Sequence, residues 1–151
     1  MEKLKKLLLV EDNEDDIDLT LLCLKKNHIV NGVDVVRDGA EALDYFFGQG
    51  RFKDRDLKEM PAVILLDLNL PKISGLEVLA KIRSDERTKR LPVVIFTTSN
   101  EEKDLAGAYQ NGANSYVRKP VDLTQFNEAI RQLGLYWAVL NEVPPLPTRT
   151  D

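Results

Sequence analysis

The feature that most constrains this chain is a regular alternation of short apolar runs with stretches of helical spacing. The apolar runs are 7–10, 33–36, 63–66, 93–96 and 116–117. Runs this short and this rich in Val, Ile and Leu are typical of strands that are covered on both faces. Between them, apolar residues recur at helical spacing, as Ile17, Leu21 and Leu24 do. The alternation predicts an α/β fold with a doubly wound parallel sheet, helices on both faces and right-handed crossovers.

Polar residues mark the expected ends of the helices. The candidate starts are Asn13 or Asp15, Ser74 with Glu77, and Asp122 with Gln125. Gly112 after Asn111 indicates a helix end. The segment 49–61 is longer than the ~2 to 6 residues usual for such a connection. Its many charged residues predict a solvated loop, and contact with a partner protein is the alternative.

Composition narrows the class of protein. With 151 residues, 43% of them hydrophobic and 30% charged, the chain fits one globular domain. A net charge of -4 leaves no broad cationic surface, so nucleic acid is not an expected partner. The N-terminal apolar run is too short for a signal peptide or a membrane span. We therefore expect a soluble cytoplasmic protein with no membrane partner.

Two residue types that often carry chemistry are scarce. The single cysteine, Cys23, stands among leucines, which predicts a buried thiol in a reducing compartment. The single histidine, His28, excludes a clustered-histidine metal site, and its place at a predicted helix end favours a capping or solvated role. Neither residue is expected to be catalytic.

Polar side chains follow most of the predicted strands. Glu11 and Asp12 follow the first strand, Asp67 and Asn69 the third, Thr97 and Thr98 end the fourth, and Lys119 follows the fifth. Ligands of open parallel sheets bind beyond the carboxyl ends of the strands. The sequence therefore predicts one site that combines three carboxylates, two hydroxyls and an ammonium.

This combination favours phosphoryl chemistry. Carboxylates at ~4 Å repel each other by on the order of 4 kcal/mol at an effective dielectric near 20, and a hard divalent cation such as Mg²⁺ relieves that repulsion. Lys119 and Thr97 are suited to bind an anion near the metal. A carboxylate such as Asp67 can act as a nucleophile and form an acyl phosphate.

Four motifs carry a resemblance to a known family. They are Leu9-Val10-Glu11-Asp12, Leu66-Asp67-Leu68-Asn69-Leu70-Pro71 with Gly75, Val94-Ile95-Phe96-Thr97-Thr98, and Gly112 through Lys119-Pro120. Together, and in this order, they resemble the receiver domain of bacterial two-component response regulators, over about residues 4–133. The resemblance implies a flavodoxin-like fold with five parallel strands in the order 2-1-3-4-5.

The resemblance also implies a role for each motif residue. Asp67 is expected to be the phosphoacceptor, with Mg²⁺ or Mn²⁺ held by Glu11, Asp12, Asp67 and the backbone carbonyl of Asn69. Thr97 and Lys119 are expected to bind the phosphoryl oxygens, and Tyr116 to be the aromatic switch on the face of helix four, strand five and helix five. The Lys119–Pro120 bond is expected to be cis.

The implied function is that of a signalling domain rather than an enzyme. A sensor histidine kinase would phosphorylate it, and it would catalyse only its own phosphorylation and dephosphorylation. Residues 1–133 would form the receiver and 134–151 an extension too short to be an output domain. The long charged loop and the aromatic extension resemble the small response regulators that partner phytochrome kinases.

Three other interpretations remain to be weighed. A flavodoxin-like cofactor binder is disfavoured because the acidic residues after the first strand would repel an anionic cofactor. A haloacid-dehalogenase-like phosphatase needs a second aspartate as general acid where this chain has Asn69. A purely structural interaction domain gives no reason to gather Glu11, Asp12, Asp67 and Lys119.

The extension carries more apolar residues than one helix face can bury. Leu135, Tyr136, Val139 and Leu140 follow a stripe that is complete by Leu133 or Trp137. We therefore expect a homodimer formed by helix five and its extension, with an extension folded back on its own domain as the alternative. The prolines of 144–147 are expected to run extended along either surface.

Overall fold

The computed structural model describes residues 5–28 and 32–145 of the chain. The strands are Lys6–Val10 (β1), Gly32–Val36 (β2), Val63–Leu66 (β3), Val93–Thr97 (β4) and Ser115–Arg118 (β5). The α-helices are Glu14–Lys26 (α1), Gly39–Phe47 (α2), Gly75–Ser84 (α3), Glu102–Gln110 (α4) and Leu123–Gly134 (α5). Each predicted apolar run lies in a strand, and the predicted alternation of strands and helices is confirmed.

The strands form one parallel sheet in the order β2-β1-β3-β4-β5. In the register, Leu8 of β1 lies opposite Asp34 of β2 on one side and Ile64 of β3 on the other. The chain moves outward from β1 to β2 and then returns to β3 on the opposite side of β1. This reversal of direction opens a crevice at the carboxyl ends of β1 and β3, where open α/β sheets bind ligands.

Alternate strand residues build two cores, one on each face of the sheet. Leu8, Ile64 and Ile95 point to a cluster covered by α2, α3 and the single buried residue of α4. Leu7, Leu65 and Val94 point to a second cluster covered by α1 and α5, which includes the buried thiol of Cys23. Because both faces are covered, the strands read as continuous apolar runs in the sequence. The predicted burial of Cys23 is confirmed.

The predicted helix boundaries are found where side chains cap them. Asn13, and not Asp15, accepts from the backbone amide of Asp16 to start α1. The other capping side chains are Asp38 for α2, Ser74 for α3 and Asp122 for α5. Gly112 follows the end of α4 with a φ of 97°, a left-handed value that favours glycine.

The segment between α2 and β3 is only partly the solvated loop that its charges predict. Lys53, Asp54 and Lys58 are exposed, as expected. However, a short 3-10 turn at Gly50–Phe52 sets the Phe52 ring edge-on to Tyr45, with centroids 5.2 Å apart. The guanidinium of Arg55 lies 3.9 Å from the centre of the Tyr45 ring. Packing of the Phe52 ring and the Arg55 guanidinium on the Tyr45 ring holds this part of the segment against the domain, although its many charged residues predict a solvated loop.

The extension continues α5 as a π-helical segment, Leu135–Leu140. Ala138 is buried and Trp137 packs on the cluster under α1 and α5. The Nζ of Lys5 donates to the carbonyl of Asn141 over 2.9 Å, so the extension lies against its own domain. Pro144 and Pro145 are exposed, and the expectation for Pro147 falls outside the described residues. Within the described parts of the chain, no helix is long and apolar enough to cross a membrane.

Candidate functional site

The site begins where β1 and β3 end side by side. Glu11 directly follows β1 and Asp67 directly follows β3, and both side chains are buried. The first turn of α3 comes so close that a Cβ on Gly75 would lie 2.3 Å from the backbone oxygen of Asp67. Only glycine fits there, so Gly75 lets α3 start against the strand end that carries Asp67.

The two carboxylate oxygens of Asp67 have different partners. Oδ1 accepts a hydrogen bond of 2.8 Å from the hydroxyl of Thr97 and one of 3.1 Å from the backbone amide of Asn69. Oδ2 accepts a hydrogen bond of 3.0 Å from the Nζ of Lys119. The carboxylate is therefore fixed in orientation by donors from β4, from its own loop and from the loop after β5.

Lys119 reaches into the crevice and meets three carboxylates. Its Nζ bonds to Glu11, to Asp16 over 2.9 Å and to Asp67 over 3.0 Å. Burial alone would lower the pKa of Lys119, but the hydrogen bonds to Glu11 and Asp16, together with the charges of Asp67 and Glu11, outweigh burial and raise it. The ammonium is therefore a permanent cation inside the site.

Glu11, Asp12 and Asp67 form an acidic cluster at the mouth of the crevice. One carboxylate oxygen from each lies within 4.8 Å of the others. Burial raises the pKa of Glu11 to about 7, and the neighbouring charge of Asp67 adds to this effect. Three hard oxygen donors that repel each other fit a divalent cation such as Mg²⁺ or Mn²⁺, which relieves that repulsion.

Thr97 and Tyr116 lie on the neighbouring strands β4 and β5. Thr97 is fully buried at the end of β4, whereas Tyr116 is half-buried beside the core. The Tyr116 hydroxyl donates a hydrogen bond of 3.0 Å to the backbone carbonyl of Ser99. This bond ties β5 to the loop that begins immediately after Thr97.

The structure brings together the predicted side chains of Glu11, Asp12, Asp67, Thr97 and Lys119. The second predicted hydroxyl, that of Thr98, is not part of the site, because Thr98 follows the end of β4 and is exposed. Asn69 is exposed and contacts Asp67 through its backbone amide. The expectation of a cis bond before Pro120 is wrong, because the described residues contain no cis peptide. The trans form is the intrinsically favoured one, by about 0.5 to 1 kcal/mol for a bond before proline.

Two contributors to the site were missed by sequence reasoning. Asp16 pairs with Lys119, and Ser99 receives the Tyr116 hydroxyl. Asp16 lies in the first turn of α1, only four residues after Asp12, and this nearness to the end of β1 could have indicated it. The role of Ser99 rests on its backbone carbonyl, for which a sequence gives no signal.

Comparison with known proteins agrees with this geometry. The family model described as the response regulator receiver domain matches residues 7–131. Response regulator Rcp1 of Synechocystis sp. is 37% identical over 133 residues, which cover 88% of this chain and 88% of Rcp1. These matches span the sheet, the crevice and all four motifs.

Solved structures with the same fold include response regulators of phytochromes. The phosphorylated cyanobacterial phytochrome response regulator RcpA superposes with a TM-score of 0.86 at 39% identity, covering 93% of this chain and 98% of RcpA. The Mn²⁺-bound form of Rcp1 gives 0.85 at 36% identity, covering 93% and 99%. The bacteriophytochrome response regulator RtBRR gives 0.74 at 53% identity, covering 94% and 85%.

Proposed function

The chain belongs to the response regulator receiver domain family, and from this premise we propose that Asp67 accepts a phosphoryl group from a sensor histidine kinase. The observation that carries the proposal is the fixed carboxylate of Asp67, held by Thr97 at 2.8 Å and by Lys119 at 3.0 Å. A hydroxyl and an ammonium on the two sides of one buried carboxylate also suit the oxygens of a phosphoryl group attached to it.

The transfer step follows from this arrangement. A carboxylate oxygen of Asp67 forms a bond to phosphorus, while the bond from phosphorus to the donor histidine nitrogen, or to the leaving oxygen of an acyl phosphate, breaks. The electron pair of that bond leaves with the donor. Thr97 and Lys119 then transfer their hydrogen bonds from Asp67 to the phosphoryl oxygens. The domain thus catalyses only its own phosphorylation and, with water as the acceptor, its dephosphorylation.

Glu11, Asp12 and Asp67 would hold Mg²⁺ or Mn²⁺, with the backbone carbonyl of Asn69 as a further ligand. The cation would neutralise charge between the carboxylates and the phosphoryl oxygens. The distances within the acidic cluster and the Mn²⁺-bound form of Rcp1 support this assignment. Among the residues of the chain itself, Lys119 supplies the complementary positive charge.

The signal would leave the site through Thr97 and Tyr116. When Thr97 turns toward the phosphoryl group, the loop after β4 moves with it and Tyr116 takes a more buried position. This changes the surface formed by α4, β5 and α5. The hydrogen bond between Tyr116 and Ser99 supports this route, because it already joins the two moving parts.

The partner that the relatives favour is a phytochrome-type histidine kinase, since RcpA and RtBRR are phytochrome response regulators by name. Residues 1–133 would act as the receiver and residues 134–151 as an extension that contributes to a homodimer. Side chains left exposed on the extension, such as Tyr136 and Leu140, support a protein contact there. With a net charge of -4, the chain would signal through proteins rather than nucleic acid.

The proposal is tested by incubating the protein with a small acyl-phosphate donor and Mg²⁺ and measuring the intact mass. We expect a gain of one phosphoryl group, lost in Asp67→Asn and in excess chelator. Asp15→Asn serves as the matched control, because Asp15 is an exposed carboxylate on the first turn of α1. Normal labelling of Asp67→Asn would contradict the assignment of the phosphoacceptor.

A further inference from the structure

The ammonium of Lys119 has its three N–H donors directed at three carboxylates. Two of these, Glu11 and Asp67, belong to the acidic cluster that fits a divalent cation. The third, Asp16, lies outside that cluster on the first turn of α1. Asp16 therefore contacts the site only through Lys119.

Exposure distinguishes Asp16 from the other two partners. Its side chain is 28% exposed, whereas the side chains of Glu11 and Asp67 are 3% and 8% exposed. Asp16 is thus the partner of the ammonium on the side that faces solvent, whereas Glu11 and Asp67 are its partners on the buried side. A lysine stem of four methylene groups would otherwise be free to turn its charge outward into water.

We propose that Asp16 is a positioning residue, which holds the Lys119 ammonium beside Asp67 during phosphoryl transfer. This inference rests on the proposed function. During the reaction, Glu11 would also bind the cation and Asp67 would carry the phosphoryl group, and each of these roles competes with the ion pair to Lys119. Asp16 has no such competing role, so its ion pair persists and keeps Lys119 oriented as the phosphoryl oxygens arrive.

The test compares substitutions at this single position. Asp16→Ala removes the charge and the acceptor, and we expect the phosphorylation rate at saturating Mg²⁺ and acyl phosphate to fall about three- to tenfold. Asp16→Asn keeps an acceptor without the charge and is expected to give a smaller loss. Asp16→Glu restores a carboxylate and is expected to recover most of the rate. Asp15→Asn controls for the loss of a negative charge at the N-terminus of α1.

A second measurement separates positioning from a structural role. The affinity of the unphosphorylated variants for Mg²⁺, measured by calorimetry, is expected to change much less than the rate, because Asp16 lies outside the acidic cluster. An Asp16→Ala rate equal to or above that of the wild type would overturn the inference, as would failure of Asp16→Glu to recover it. A wild-type chain that takes up no phosphoryl group would instead overturn the proposed function.

Discussion

The hydroxyl of Tyr116 donates a hydrogen bond of 3.0 Å to the backbone carbonyl of Ser99, two residues after Thr97. The hydroxyl of Ser99 in turn lies 2.5 Å from a carboxylate oxygen of Asp104 in α4. Thr97, the loop after β4, Tyr116 and α4 are therefore joined by direct contacts. A movement of Thr97 at the site has a continuous path to the outer surface.

Because this path starts at Thr97, substitution of Thr97 should prevent phosphorylation of Asp67 from changing α4. In Thr97→Ala we expect phosphorylation of Asp67 to slow by at least about tenfold, because one hydrogen-bond donor to the reacting group is lost. Once the variant is phosphorylated, the amides of α4 should no longer change their hydrogen exchange. Thr98→Ala is the matched control, since Thr98 is exposed. A normal exchange response in Thr97→Ala would show that the signal leaves by another route.

Arg83 is predicted to stabilise the fold away from the site. Its guanidinium donates to three backbone carbonyls and one side chain: Lys89 at 2.9 Å, Leu91 at 2.7 Å, Gly112 at 2.8 Å and the Oδ1 of Asn114 at 2.8 Å. Arg83→Ala removes all four of these hydrogen bonds, and only Asn114 keeps another donor, the backbone amide of Val93, so we expect the free energy of unfolding to fall by about 2 to 4 kcal/mol.

Urea unfolding measures this loss. Arg87→Ala is the control, because Arg87 is an exposed side chain whose guanidinium bonds only to nearby Asp85 and otherwise lies 4.8 Å from the centre of the Phe47 ring. Its free energy of unfolding should change by less than about 1 kcal/mol. Equal losses in the two variants would show that the hydrogen bonds of Arg83 are not what holds the end of α3 to β4 and β5.

The sheet could be predicted because strands that are buried on both faces need apolar residues at nearly every position, and such runs are visible in the sequence. Runs such as 63–66 contain no polar residue, and caps such as Ser74 stand at the helix starts. The site could be predicted once the strand ends were placed, because the carboxyl ends of parallel strands lie at one edge of the sheet and bring Glu11 and Asp67 together there.

Features that depend on side-chain direction could not be predicted in this way. The ion pair between Asp16 and Lys119 joins residues 103 positions apart and needs the three-dimensional path of both side chains. The stacking of Arg55 on Tyr45 turns part of a charged loop into packed structure. In the extension, the spacing leaves open whether the apolar stripe of helix five ends at Leu133 or at Trp137, and the structure shows that Trp137 still packs on the domain.

The raised pKa of Glu11 predicts how the stability of the metal-free protein depends on pH. Burial, together with the charge of Asp67, raises this pKa from 4.5 to about 7, so the folded state favours the protonated acid. The stabilising effect of that proton is complete below pH 4.5 and is lost as the pH rises through about 7. We therefore expect the Glu11 contribution to the free energy of unfolding to fall between about pH 4.5 and 7, by about 3 kcal/mol. At the higher pH, Mg²⁺ should restore the lost free energy of unfolding, because it binds the ionised carboxylate in the folded state.

Urea unfolding at several pH values, with chelator and with Mg²⁺, measures this dependence. Glu11→Gln should remove the fall, because its side chain does not titrate. Glu14→Gln is the control: the hydrogen bond from Arg37 lowers the pKa of Glu14, so its contribution is lost only at acid pH. A fall of the same size in Glu11→Gln would assign the pH dependence to another group.

The last prediction concerns the proposed homodimer. On the outer side of the extension, Leu135, Tyr136, Val139 and Leu140 are 38%, 51%, 40% and 64% exposed. Trp137 and Ala138 face the domain, so changing Trp137 would disturb the core as well as an interface. Leu140→Glu is the sharper variant, because it places a charge in the exposed apolar patch and leaves the inner side intact.

Sedimentation at a series of protein concentrations in the micromolar range, with and without acyl phosphate, measures the oligomeric state. We expect a wild-type dimer, a monomeric Leu140→Glu variant and unchanged phosphorylation of Asp67 in both. Leu105→Glu is the matched control, because Leu105 is 41% exposed on α4 and tests a dimer through that face instead. Dissociation by Leu105→Glu alone would move the interface to α4. A wild-type chain that stays monomeric under both conditions would leave the extension as a cover for its own domain, a role that its contacts with Lys5 and the α1 and α5 core already allow.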